Sequence, residues 1–324
     1  MSRAVLVMGG SYFIGRRIVD TLLDLGYEVF TCNRGTQPCS SRVTNLTADR
    51  DDPDAMKRTL KNHLFDIVVD VSGRSRRQSE ILCSALDCSV LRHMFFISSS
   101  AVYDVDNLAA PYRETDHLAV NRHWSSYGTD KIEAEQYLRD RFAGGDTRLV
   151  ILRPPYVYGE NNYAQRESFI FDHINRRLPL IIPRSGQNRL QFIYSGDLAN
   201  IIASLMDVPL DMVSVFNVGN RKPVTIREWI MLCIETVGQD IPVIEYDFEK
   251  DGRRIRDFFP FHDYDNVLDV SEINRHCTRE TDFAKGLRMS YIWYCQNKDK
   301  IVFKEYVAAN ERKILESLTG PAIR

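Results

Sequence analysis

The sequence predicts an α/β fold, a doubly wound parallel sheet with a smaller mixed α/β lobe at the C-terminal end. Three observations predict it. Short apolar runs alternate with helical patterns through the first 155 residues. The first run stops at a glycine-rich turn, Gly9 to Gly15, that opens a helix. A tyrosine and a lysine, Tyr127 and Lys131, stand four apart on a later helix, downstream of a run that ends in Ser99.

Ala4 to Met8 is apolar throughout and ends at Gly9-Gly10, as a strand covered on both faces does. A helix follows with Ile14, Ile18, Leu22 and Leu25 on one face and Gly26 as its stop. Tyr27 to Thr31 reads as a second strand that leads into Cys32-Asn33-Arg34-Gly35, and a polar stretch then runs to a helix near residues 53–63. Asp66 to Asp70 is a strand, Gln78 to Leu86 a helix, His93 to Ser98 a strand, Tyr127 to Arg141 a helix and Arg148 to Arg153 a strand. This alternation implies right-handed βαβ units and helices on both sheet faces. Pro111 to Ser126 is a loop placed to cover the sheet's carboxyl edge.

After Pro154-Pro155 the pattern changes. Residues 1–155 are expected to form the first domain, with 189–220 returning to it, and 156–324 a second lobe. Helices are expected over Ser168–Arg177, Asp197–Leu205 and Thr225–Val237, the last opened by a capping box of Thr225 and Glu228. Leu190–Tyr194 and Val215–Val218 read as strands, Asp240–Asp269 as irregular, and the last 35 residues as helical.

Composition narrows the function. Forty-two basic residues against 44 acidic give a net charge of -2, so no global field draws the chain to nucleic acid or to an anionic membrane. The seven cysteines form no CxxC pair and are odd in number, which suits reduced thiols in the cytoplasm. Histidine spacing offers no metal site, and no metal is expected. No apolar run nears the ~20 residues that span a bilayer. The chain enters a strand at once, so no secretory leader is expected.

The glycine turn reads Gly9-Gly10-Ser11-Tyr12-Phe13-Ile14-Gly15. A dinucleotide pyrophosphate needs a tight turn, bare backbone it can approach, and a helix N-terminus with free N–H groups. Gly9 and Gly10 suit the turn and the approach, and Gly15 suits close helix–strand packing. Strand, turn and helix in this order make a Rossmann-type dinucleotide site the expectation, although Tyr12 stands where the usual middle glycine would be. Arg34 ends the second strand where an acidic residue would hold the ribose hydroxyls of NAD. A guanidinium there pairs with a 2′-phosphate, which tilts the choice between NAD and NADP toward NADP. Solvent exposure or stacking on adenine is the alternative for Arg34 and serves either cofactor.

Tyr127 and Lys131 share one face of their helix. A phenol is a poor base near neutrality, and a neighbouring ammonium favours its ionised form. A serine hydroxyl at an adjacent strand end then holds the substrate oxygen. Spacing alone proves little, because Tyr246 and Lys250 repeat it. That second pair follows a strand pattern, lacks a serine strand end upstream, and reads as structural.

These motifs, with RPPYVYG at Arg153–Gly159, FIYSGDLA at Phe192–Ala199 and FNVGN at Phe216–Asn220, resemble the extended short-chain dehydrogenases, the NAD-dependent epimerase/dehydratase family. The resemblance implies that Tyr127 is the general base, that Lys131 binds the nicotinamide ribose, and that Ser99 holds the reacting oxygen, with Ser100 as the fallback. It places Gly9, Gly10, Tyr12, Phe13, Ile14, Gly15, Asn33, Arg34, Asp49, Ser72, Gly73, Lys131 and Pro154 around the cofactor. It places Ser100, Arg189 and Arg254 toward a substrate diphosphate or sugar. Tyr12, Asn33-Arg34-Gly35 and VDVSG at Val69–Gly73 are similar to a subgroup that includes the chloroplast stem-loop RNA-binding proteins. Ser100-Ala101 stand where the dehydratases carry Asp-Glu, which argues against dehydration. The resemblance also implies a homodimer.

The first functional expectation is a nucleotide-sugar epimerase of the 4-epimerase type that retains NAD or NADP. The second is an NADP-linked reductase of a carbonyl substrate. The third is a nucleic-acid-binding or regulatory protein on the same scaffold, against which the charge balance and the intact Ser, Tyr, Lys set both argue.

Overall fold

In a computed structural model, which describes residues 3–319, the chain divides into two units. The first comprises residues 1–157, 191–221 and 266–280, and the second 158–190, 222–265 and 281–324. The segment 266–280, expected in the second lobe, thus belongs to the first unit.

Strands β1 (Ala4–Met8), β2 (Glu28–Asn33), β3 (Thr44–Thr47), β4 (Ile67–Asp70), β5 (His93–Ile97) and β6 (Arg148–Arg153) form a parallel sheet with an edge strand, Val213–Asn217. The order is edge strand–β6–β5–β4–β1–β2–β3. The order reverses direction at β1, and that switch opens a crevice at the carboxyl ends of the strands. β3 falls within the stretch read as polar loop. It is four residues long, at the sheet edge, and almost wholly exposed, so it has no apolar alternation to reveal it.

Helices α1 (Phe13–Asp24), α2 (Pro53–Leu60), α3 (Arg76–Ala85) and α4 (Ser126–Phe142) are the crossovers. α2, α3 and α4 cover one face. Met56, Leu60, Ile81, Leu82, Ala134 and Leu138 pack there on Leu6, Val68, Met94 and Ile151. α1 packs with α6 (Ser195–Leu205), within the same unit. Asp52 caps α2 and Ser75 caps α3 through side-chain oxygens.

The loop 111–125 covers the carboxyl ends of β6 and the edge strand. Asn217 Nδ2 donates to the Tyr112 carbonyl and Arg153 to the Glu114 carbonyl, both across it. Beneath it Arg153 and Glu135, each almost fully buried, pair at 2.6 Å.

In the second unit, α5 lies between Glu167 and Arg176 and α7 between Ile226 and Val237, the latter with the full Thr225–Glu228 capping box. Trp229 packs edge-on against Tyr158 and Phe283. Leu180–Pro183 pairs in parallel with Val243–Tyr246. α8 (Phe283–Gln296) and α9 (Glu305–Thr319) account for most of the expected C-terminal helix; residues 320–324 lie outside the described part.

Candidate active site

The glycine turn opens onto a cavity of about 750 Å³ in the first unit. Gly9, Ser11, Tyr12, Phe13 and Ile14 form one wall. Gly9 has φ of 87°, and a β-carbon there would stand 2.7 Å from Ser72 Cβ. Gly15 carries no β-carbon because one would run into the Gly9 carbonyl. Gly10 does not line the cavity. It is buried, and its Cα faces the side chains of Thr31 and Val19. That face of Gly10 packs between β2 and α1. Tyr12 is extended, at φ -134°, so the missing middle glycine costs nothing at that position. The positive φ, 35°, falls on Phe13 instead.

No side chain caps α1, whose first turn forms the wall. Its leading N–H groups and the helix dipole therefore face the cavity, the arrangement that receives an anionic pyrophosphate. The residues present fit a dinucleotide.

Asn33, Arg34, Asp49, Arg50 and Ser72 complete the far wall. Asn33 Oδ1 accepts from the Gly35 amide, and this turn presents Arg34, which is exposed. Sequence reasoning missed Arg50. Its guanidinium makes a bidentate pair with Asp70 at 2.9 and 3.0 Å and donates to Ser72 Oγ at 2.6 Å. Asp70 is fully buried, and the Arg50 charge holds its carboxyl below the usual range against the opposing effect of burial.

The Ser, Tyr, Lys set sits at the carboxyl ends of β4 and β5. Ser99 precedes a single 3-10 turn, Ser100–Val102, and its Oγ accepts from the Ala101 amide. The hydroxyl proton is left to donate outward. Ser100 is buried, whereas Ser99 is half-buried. α4 begins against this turn, and Tyr127 lies in its first turn, half-buried beside Trp124 at 6.0 Å. Asn121 locks the junction. Its Nδ2 donates to the carbonyls of Ala101 and Tyr103, and its Oδ1 accepts from the amides of His123 and Trp124.

Lys131 is buried and donates from Nζ to the carbonyls of Gly73 and Ile97. Burial pushes its ammonium down to about 8, against the pull of Asp70. Ser98 Oγ donates to Glu135, one turn further along α4. Gly73 is held by its own amide on Asp70 Oδ1. Pro154 supplies the carbonyl that accepts from the Ser100 amide.

The two arginines assigned to a diphosphate lie in the second unit. Arg189 is bidentate to Asp265 at 2.6 and 2.8 Å, and Arg254 is largely exposed, 3.6 Å from Asp257. The other YxxxK pair is dispersed. Tyr246 is buried in a strand and donates to Asp251, while Lys250 pairs with Asp247. Among the described residues no group of His, Cys, Asp and Glu is placed to hold a metal, and no helix is long and apolar enough to cross a membrane.

Known proteins share this chain's sequence pattern and fold. The chain is 28% identical over 314 residues to the chloroplast stem-loop binding protein of 41 kDa b of Arabidopsis thaliana, covering 89% of this chain and 78% of that one. It is 26% identical over 318 residues to a putative UDP-glucose 4-epimerase of Methanocaldococcus jannaschii, covering 90% and 99%. Its fold matches the UDP-glucose 4-epimerase of Thermotoga maritima, solved with UDP-glucose, with a TM-score of 0.76 at 19% identity over 91% of this chain and 99% of that one. The model of the NAD dependent epimerase/dehydratase family matches residues 5–219, and the chain belongs to that family of enzymes.

Proposed function

We propose that the protein is an NAD(P)-dependent nucleotide-sugar epimerase of the 4-epimerase type. One observation carries the reading. The uncapped helix and cavity at β1 and the Ser99, Tyr127, Lys131 set at β5 lie along one sheet edge, joined by Ser72 and Gly73 at the end of β4. The names of the M. jannaschii and T. maritima relatives supply the substrate class.

A bound nicotinamide ring supplies hydride acceptance and return. The chain's residues do the rest. α1 and Gly9 receive the pyrophosphate, and Asn33, Arg34 and Asp49 surround the adenosine. Ser99 holds the reacting sugar oxygen through a hydrogen bond from its hydroxyl. Tyr127 takes the proton of the sugar hydroxyl and gives it back to the opposite configuration. Lys131, with two of its three donors on carbonyls, directs the third to the nicotinamide ribose.

A second reading rests on Arg34, which follows β2 and lines the cavity with no acidic residue in its place. It favours an NADP-linked reductase that exchanges its cofactor each turnover. Mass spectrometry of small molecules released from the purified, denatured protein separates the two. Retained NAD or NADP, with interconversion of UDP-glucose and UDP-galactose and no added cofactor, is expected. Protein that releases no dinucleotide and oxidises added NADPH with a carbonyl substrate would overturn the epimerase reading.

A further inference from the structure

We propose that the buried Arg50–Asp70 ion pair is a positioning device for Lys131, acting through the loop that carries Gly73. The chain of contacts is continuous. Arg50 grips both Asp70 oxygens, at 2.9 and 3.0 Å. Asp70 Oδ1 accepts the Gly73 amide at 2.7 Å. The Gly73 carbonyl accepts Lys131 Nζ. No slack exists at the middle link, because a β-carbon on Gly73 would collide with Asp70 and would stand 2.9 Å from the Phe96 ring. The Phe96 ring also lies 4.6 Å under the Lys131 ammonium.

Packing alone does not explain the pair. Two charges removed from water are commonly no more stabilising than apolar residues of the same volume. Here Asp70 is fully buried at the end of a central strand, and only 12% of the Arg50 side chain reaches solvent, through the cavity. The pair therefore sits between the adenosine wall and the lysine, with each polar bond leading from one toward the other. Arg50 Nε is buried with no protein partner, so the same side chain keeps a buried donor beyond those it gives to Asp70 and Ser72.

Several groups face Lys131. Asp70 and the Gly73 carbonyl come from β4 and its loop, Arg50 from the loop after β3, and the Ile97 carbonyl and Phe96 from β5. Glu135 comes from α4 and Arg74 from the end of the β4–α3 connection. Asp70 favours the ammonium and Arg50 opposes it, so removing each has an opposite effect.

This inference rests on the proposed role of Lys131, but its test reads the lysine directly and holds whether or not a sugar is turned over. The protein is labelled at lysine Cε and Nζ, and Lys131 is titrated by NMR, its signal assigned by loss in Lys131→Met. Asp70→Asn should lower the midpoint by about half a pH unit or more. Arg50→Met should raise it. The double variant Arg50→Met/Asp70→Asn leaves no lone buried charge to prevent folding, and should fall below the parent by less than Asp70→Asn alone. Shifts of both single variants in one direction, or an unmoved midpoint in the double variant, would overturn the proposal.

Discussion

The Cα of Gly128 faces the carbonyl oxygen of Ala101 so closely that a β-carbon there would stand 2.5 Å from it. This contact sets how near α4 comes to the turn after Ser99, and so how near Tyr127 comes to Ser99. Gly128→Ala improves helix propensity by about 1 kcal/mol. The collision is with backbone, which cannot swing aside, so overpacking at about 1–3 kcal/mol outweighs that gain. The variant should melt below the parent. A displacement of about 1 Å at the reacting groups costs on the order of 100-fold in rate, so turnover should fall by about that factor. Thermal unfolding and turnover measured together check this, and an unchanged rate would show that the helix start does not set the geometry.

Arg34 offers a different kind of test, because two physical roles predict different outcomes. If its guanidinium pairs with a 2′-phosphate, Arg34→Ala should weaken NADP binding by about 10-fold or more, the worth of a charge-assisted hydrogen bond. NAD binding should change little. Calorimetric titration with both cofactors decides it. Equal losses for the two would mean that Arg34 stacks on adenine and does not select between them.

Much of the site was readable from sequence because its parts are local. The glycine turn, the serine strand end and the Tyr127–Lys131 helix are each contained in a few consecutive residues, and βαβ alternation brings their strand ends to one edge. The Arg50–Asp70 pair was not readable. The two residues are 20 apart with no periodic relation, and they meet only because the order β4–β1–β2–β3 lets the loop after β3 cross two strand ends. The strand that carries this loop was equally hidden, since an exposed four-residue edge needs no apolar pattern. Gly10 shows how a motif can hide packing. It belongs to a recognisable motif, yet its own neighbours are Thr31 and Val19 side chains.

A pH-dependent contact lies within the second unit. His173 Nδ1 bonds the Phe169 carbonyl at 2.8 Å, and Nε2 meets Glu311 at 3.0 Å. Both partners are acceptors, so a ring that carries two protons satisfies both contacts. Burial opposes the charge of that ring, but Glu311 outweighs it and the net shift is upward. A raised value means that this tie between α5 and α9 is at full strength below about pH 6.5, the unfolded value. It weakens as pH rises through the folded value. Amide exchange in residues 305–319, corrected for its intrinsic pH dependence, should therefore lose protection from neutral to alkaline pH. His173→Gln should remove that dependence. Protection that stays flat in the parent would show that Glu311 does not hold α9 through the imidazolium.

The catalytic assignment is best tested with its own internal control. Tyr127 and Tyr246 both precede a lysine by four residues. Tyr127 opens a helix beside Ser99, and its Lys131 is buried against strand-end carbonyls. Tyr246 is buried in a strand, donates to Asp251, and has its Lys250 on the surface with Asp247. Replacing tyrosine by phenylalanine removes only the phenol oxygen at each place. Loss of a general base costs roughly 100- to 10,000-fold, so Tyr127→Phe should lose turnover on that scale while keeping its melting temperature and its dinucleotide. Tyr246→Phe should do the reverse. It leaves Asp251 without its donor, lowers stability by about 1 kcal/mol, and preserves turnover. Equal activity in the two variants would remove Tyr127 from the mechanism, and a dead Tyr246→Phe variant with intact folding would move the chemistry to the second unit.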